Sequence, residues 1–157
     1  MNFLFACTHN ACRSILAEVI GRELGKGRME TASAGSSPSG RVHPLALRHL
    51  ALHGYGTQGL ASKGFPDVQT FKPDVVITLC DRAAEESCPV WLGNAARAHW
   101  GLPDPSHLEG PDEDRSAAFG AVIATLESRI TRLLQSPFES LDSGQLTSLL
   151  QEIAEQE

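Results

Sequence analysis

No apolar run in this 157-residue chain approaches the about 20 residues that a membrane-spanning helix needs, which excludes a span of that kind. There is no Lys/Arg cluster either: 13 basic residues stand against 19 acidic ones, a net charge of −6 with histidine neutral. Nucleic acids and anionic membranes are held by basic patches that neutralise phosphates, so neither is an expected partner. An anionic substrate must instead be drawn in by a local site. The apolar residues 1–6 are too few for a signal peptide and lack a basic n-region. Internal repeats and low-complexity tracts are absent. Without a secretion signal, the four cysteines point to a reducing compartment, where thiols serve catalysis or metal binding more often than stapling. The cytoplasm is the expected location.

What the chain does contain is enough apolar material for a core: 41% of residues are hydrophobic and 20% charged, which excludes global disorder. The length fits one compact domain, able to bury about 68–70% of the surface its unfolded form exposes without metal or disulfides.

The apolar run at residues 2–6 reads as a buried strand, and Ile15, Leu16, Val19, Ile20 and Leu24 make a helical stripe stopped by Gly25 and Gly27. Residues 29–33 suggest a second strand and 35–40 a turn-rich loop. Pro44 opens a helix that Gly54 ends. The run Val75-Val76-Ile77-Thr78-Leu79 is the best strand in the chain, and residues 98–102 suggest another. A long helix begins near the acidic Asp112-Glu113-Asp114 and reaches about Gln135. Beyond Ser136-Pro137, a cap at Asp142 precedes a stripe of Leu146, Leu149, Leu150 and Ile153. Alternating strands and helices imply an α/β fold, a parallel sheet with helices on both faces. Residues 1–135 form the expected domain and 136–157 a C-terminal helical extension packed on it.

Two motifs mislead. Gly54-Tyr55-Gly56-Thr57-Gln58-Gly59 matches a dinucleotide fingerprint, but a helix precedes it and no helical period follows, so it reads as a turn. Cys7, His9 and Cys12 lack the second ligand pair of a structural zinc site. No metal and no cofactor are expected.

The segment Cys7-Thr8-His9-Asn10-Ala11-Cys12-Arg13-Ser14, set between a strand and a helix, is different. Such a loop folds its amides around an oxyanion in front of a positive helix end. Arg13 supplies a planar fork for two oxygens. Amides, helix end and guanidinium all favour the thiolate of Cys7, which then lies poised to attack the central atom. Asn10 is suited to bracing the loop and Ser14 to donating to the sulfur. Asp104, in Asp104-Pro105 after a strand, is a candidate general acid for the departing oxygen. Cys80 falls at the C-terminal end of the best strand, the edge where parallel sheets bind ligands, and Cys88 follows across a polar loop. The two read as redox partners.

Together these features resemble the thioredoxin-coupled arsenate reductases, which share the low-molecular-weight protein tyrosine phosphatase fold. The resemblance runs over residues 2–135 and rests on the loop 7–14, Ala17-Glu18, Ser33-Ala34-Gly35, residues 74–80, Cys88-Pro89, His99-Trp100-Gly101 and Asp104-Pro105. It implies a four-stranded parallel sheet and a chemistry in which Cys7 attacks arsenate while Arg13 and the loop amides hold it. Phosphate and sulfate would act as analogues. Asp104 would protonate the leaving oxygen, and Cys80 would attack the Cys7 adduct to release arsenite. Cys88 would then take over Cys80, leaving a disulfide for thioredoxin to reduce. A monomer is expected.

Some members of the family bind potassium; Asn10, Glu18 and Ser33 match its ligands, but Ser62-Lys63 stands where an aspartate is expected. His9 replaces a usual glycine. The rival reading is a low-molecular-weight tyrosine phosphatase, but Asp104-Pro105 is followed by Ser106-His107 rather than aromatics, and Cys80 and Cys88 would be idle. A non-enzymatic oxyanion-binding or thiol-sensing module is the remaining alternative.

Overall fold

The computed structural model describes residues 1–85 and 93–156. The elements follow in the order β1 (Asn2–Cys7), α1 (Arg13–Leu24), β2 (Glu30–Gly35), α2 (Pro44–Leu52), β3 (Val75–Thr78), α3 (Asp81–Glu85), β4 (Ala96–His99), α4 (Asp112–Leu134) and α5 (Ser143–Glu155), with short 3-10 turns at Phe65–Phe71, Pro105–His107 and Phe138–Ser140. The four strands form one parallel sheet in the order β2-β1-β3-β4. None of the described helices is long and apolar enough to cross a membrane.

The continuous apolar runs of β1 and β3 follow from cover on both faces. Phe3, Phe5, Val75 and Ile77 point to a large core shared with α1, α4 and α5, while Leu4, Ala6 and Val76 meet Val68 of the first 3-10 turn on the opposite face. In α1 the stripe Ile15, Leu16, Val19 and Ile20 is fully buried, and only Leu24, in the last turn, is left 41% exposed.

Two strands differ from the sequence expectation. β2 runs to Gly35 rather than residue 33, because β1 continues to Cys7 and pairs Cys7 with Gly35. β4 occupies Ala96–His99 rather than residues 98–102. Ala-Arg-Ala-His has little strand propensity, and its pairing with β3 at an edge decides instead. The Gly54–Gly59 segment is a turn, with positive φ at both end glycines.

The C-terminal stretch is built into the core. Phe138 meets Phe3 edge-on at 5.7 Å, and Leu146, Leu150 and Ile153 are buried. Asp142 and Gln145 exchange both bonds of a capping box. The buried indole of Trp100, just after β4, donates to the Leu150 carbonyl at 2.9 Å. Leu150→Ala is expected to lower the unfolding free energy by about 2–5 kcal/mol, read from the urea midpoint and slope. A loss below about 0.5 kcal/mol, the range of surface substitutions, would place α5 outside the cooperative core.

Candidate active site

The sheet brings three chain segments to one edge. The order reverses between β1 and β3, and the C-terminal ends there carry Cys7 and the turn leading to Cys80. The segment after β4 brings in Asp104.

Residues 8–12 bridge β1 and α1 as a tight loop with its carbonyls turned outward. Ser37 N–H donates to Thr8 O at 2.9 Å, Ser39 N–H to His9 O at 3.0 Å, and His43 N–H to Ala11 O at 2.8 Å. The Ser62 hydroxyl adds a second bond to His9 O. No described peptide is cis, so each of these units points its N–H the opposite way from its outward carbonyl, toward the inner side of the loop. Asn10 takes the left-handed region at φ 46°, which asparagine tolerates better than most residues. Gly35 is required beneath: a Cβ there would lie 2.5 Å from Thr8 O and 2.7 Å from Cys7 O.

The brace expected of Asn10 is present. Its Nδ2 donates to Ser14 Oγ at 2.8 Å, and Ser14 Oγ lies 2.9 Å from Cys7 Sγ. With Asn10 supplying a hydrogen to that oxygen, the Ser14 proton is available for the sulfur. Asn10 Oδ1 accepts from Lys63 N–H at 2.7 Å, tying the loop to the next segment.

Arg13, the first residue of α1, donates to Leu102 O at 2.9 Å, and its other terminal nitrogen is 3.7 Å from Asp104 Oδ2. Asp104 caps its 3-10 turn: Oδ1 accepts from the Ser106 N–H at 2.9 Å and hydroxyl at 2.6 Å. His107 Nε2 is 3.5 Å from Asp104 Oδ2. Cys80 is buried, its sulfur 3.5 Å from Thr8 Oγ1 and accepting from Ala83 N–H at 3.4 Å. The loop, Arg13, Cys80 and Asp104 thus meet at one edge, while Cys88 lies outside the described residues.

A cleft of about 340 Å³ opens over Cys7 and Arg13. His9, Arg41, His43 and His107 stand among its described lining residues, which include no Phe, Tyr or Trp. Arg41 and His43 escaped the sequence reading because no motif holds them, whereas His9 was expected in the loop and His107 was noted only as a non-aromatic residue after Asp104-Pro105. Cys12 lies beside Cys7, and its thiol is pushed up to about 12, first by burial and then by the negative fields of Asp104 and Cys7. It stays protonated near neutral pH.

The family model of low molecular weight phosphotyrosine protein phosphatases matches residues 2–145. The chain belongs to this family. Within it, the arsenate reductase of Halalkalibacterium halodurans is 36% identical over 126 residues, covering 80% of this chain and 89% of that protein. The glutaredoxin arsenate reductase of Synechocystis sp. is 30% identical over 131 residues, 83% of this chain and 94% of its own length. Among solved structures, the thioredoxin-dependent arsenate reductase of Corynebacterium glutamicum matches with a TM-score of 0.66 at 28% identity, covering 89% of this chain and 63% of that one.

The potassium ligands of some members of the low-molecular-weight phosphatase family are only partly reproduced, and the arrangement does not fit the ion. Glu18 is buried and accepts from Ser33 Oγ at 2.5 Å. The Lys63 ammonium lies 3.6 Å from the same carboxylate oxygen and donates to Ala61 O at 2.8 Å. A side chain of this chain therefore already offsets the Glu18 charge. Breaking a buried pair costs about 3–5 kcal/mol, and Lys63 is partly solvated, so Lys63→Met is expected to cost about 1–3 kcal/mol in urea unfolding. Potassium chloride should leave the wild-type Tm where tetramethylammonium chloride of equal ionic strength leaves it.

Proposed function

We propose that this protein reduces arsenate to arsenite through a cysteine relay. The observation that carries the reading is a second buried thiol, Cys80, bonded to Thr8 of the loop that holds Cys7. A phosphatase using Cys7, Arg13 and Asp104 has no work for it. The similarity to named arsenate reductases supports the same conclusion. A cleft whose described lining lacks Phe, Tyr and Trp suits a small inorganic oxyanion better than a phenyl ring.

In this mechanism the loop amides, those of His9, Asn10 and Cys12 among them, and the Arg13 fork hold arsenate, with phosphate and sulfate as analogues. The Cys7 thiolate, with the Ser14 hydroxyl beside it, attacks arsenic. Asp104, protonated for this step, donates its proton to the oxygen that leaves as water. The Cys80 thiolate then attacks Cys7 Sγ; the S–As bonding pair stays on arsenic, which leaves as arsenite, and a Cys7–Cys80 disulfide forms. Two thiols are oxidised and As(V) becomes As(III). Cys88 attacks Cys80, frees Cys7 as a thiolate, and the Cys80–Cys88 disulfide is returned to dithiol by thioredoxin. The burial of Phe138, Leu146, Leu150 and Ile153 supports reading residues 1–135 as the catalytic unit and 136–157 as its packed helical extension.

Arsenate-dependent oxidation of a thioredoxin system is the test, run beside glutathione with glutaredoxin and beside phosphate release from an aryl phosphate. Turnover is expected in the first. Phosphate release alone would assign the protein to the phosphatases. Cys7→Ser should abolish turnover, and Cys88→Ser should give one round only and accumulate Cys7–Cys80 by mass mapping. General acid catalysis contributes about 10²–10⁴-fold, so Asp104→Asn should slow the first step in single-turnover kinetics by that order. An unaffected first step would leave Asp104 as a turn residue.

A further inference from the structure

The end of β4 holds a histidine in a pocket made for it. His99 Nδ1 lies 2.8 Å from Thr78 Oγ1 on the neighbouring strand, and Nε2 lies 3.0 Å from Asp81 Oδ1. Two partners on opposite ring nitrogens fix the plane of the imidazole. Gly101 makes the space: a Cβ there would come within 2.8 Å of His99 Nε2. Asp81 is the first residue of α3 and follows Cys80 directly. Apart from its contact with His99 the Asp81 side chain stands in solvent, 93% exposed. The turn that carries Cys80 is thus gripped twice, inside by Thr8 Oγ1 on the Cys80 sulfur and outside by His99 on Asp81.

We propose that His99 and Asp81 are positioning residues that hold the Cys80 turn docked against the anion loop, so that Cys80 meets the Cys7–arsenic adduct. The inference rests on the cysteine relay and adds to it two residues that touch neither arsenate nor a reacting sulfur. The step they serve is the attack of the Cys80 thiolate on Cys7 Sγ, with the S–As bonding pair departing on arsenite. When the contact is released, the turn undocks more often and the sulfur becomes reachable from solvent. The relay needs this motion later, when Cys80 is handed on, so the grip has to be of modest strength. One partly exposed histidine–carboxylate pair has that strength.

Two measurements test it on the full chain. In the reduced protein, alkylation of Cys80 by iodoacetamide, followed by mass mapping, is expected to speed up about two- to fivefold in His99→Ala and in Asp81→Ala, with Cys7 and Cys12 unchanged. Asp81→Ala guards against misfolding, because its side chain is almost wholly in solvent. The double variant should match His99→Ala, since the Asp81 contact is already lost there and Asp81→Ala then removes nothing further. In rapid-quench experiments with arsenate in a Cys88→Ser background, formation of Cys7–Cys80 should slow about two- to fivefold while the arsenate concentration for half-saturation stays fixed. Unchanged Cys80 alkylation, or additive effects in the double variant, overturns the positioning role. If the parent background forms no Cys7–Cys80 bond, the relay itself falls, and the alkylation result still decides whether His99 and Asp81 hold the turn.

Discussion

A trans peptide can aim its N–H at an anion only if its carbonyl, pointing the other way, finds a donor of its own. The anion loop of this protein is organised by that constraint. Ser37, Ser39 and His43 supply the outer N–H groups for Thr8, His9 and Ala11. All three belong to the segment between β2 and α2, a stretch without secondary structure. Its task is to satisfy the loop from behind, since an unpaired buried carbonyl costs about 1–3 kcal/mol. Gly35 is the steric half of the same constraint, because no side chain fits between β2 and the loop. The scaffold therefore fixes the amides before any substrate arrives, the condition under which fixed dipoles are most useful to catalysis.

Charge is handled as locally as shape. A protein of net charge −6 offers an oxyanion no long-range attraction, so the pull has to come from Arg13, the start of α1 and the Arg41 side chain lining the cleft. Glu18 works against this from inside, a buried carboxylate in the helix that begins at the site. Lys63 and Ser33 offset it without exposing it. Lys63 also donates its backbone N–H to Asn10, so one residue both balances the charge and braces the loop. Arg13 is held by Leu102 and Asp104, which places the proposed oxyanion grip and the proposed general acid in one contact.

The sequence was most legible where function forces residue type and least where backbone does the work. Cys7, Arg13, Ser14 and Asn10 announce themselves because nucleophile, fork, hydroxyl and side-chain brace each need a particular side chain. β1 and β3 are equally plain, since burial on both faces leaves an unbroken apolar run. β4 is not: Ala-Arg-Ala-His carries no strand signal, and the apolar Trp100 and Leu102 drew the expectation two residues late. The outer donors at Ser37, Ser39 and His43 act through main-chain N–H groups, which leave no trace in composition. His99 was visible only as part of a family motif, and its link to Asp81 needed the register of β3 against β4, with Thr78 opposite His99.

Three described thiols lie buried around one loop, and the proposed chemistry requires that they not be interchangeable. Only a thiolate attacks, so selection is a matter of environment. Cys7 has the Ser14 hydroxyl at its sulfur and the start of α1 in front of it. Cys80 sits at the start of α3, with the Ala83 N–H directed at its sulfur and Thr8 beside it. Cys12 is as close to Cys7 in sequence as any partner, yet burial and the neighbouring negative groups hold it as a thiol. A protonated Cys12 is a poor nucleophile, which in the proposed relay leaves the attack on the Cys7 adduct to Cys80, at the end of the neighbouring strand. In the proposed relay the choice of attacking thiol thus rests less on the spacing of the cysteines than on the burial that keeps Cys12 a thiol.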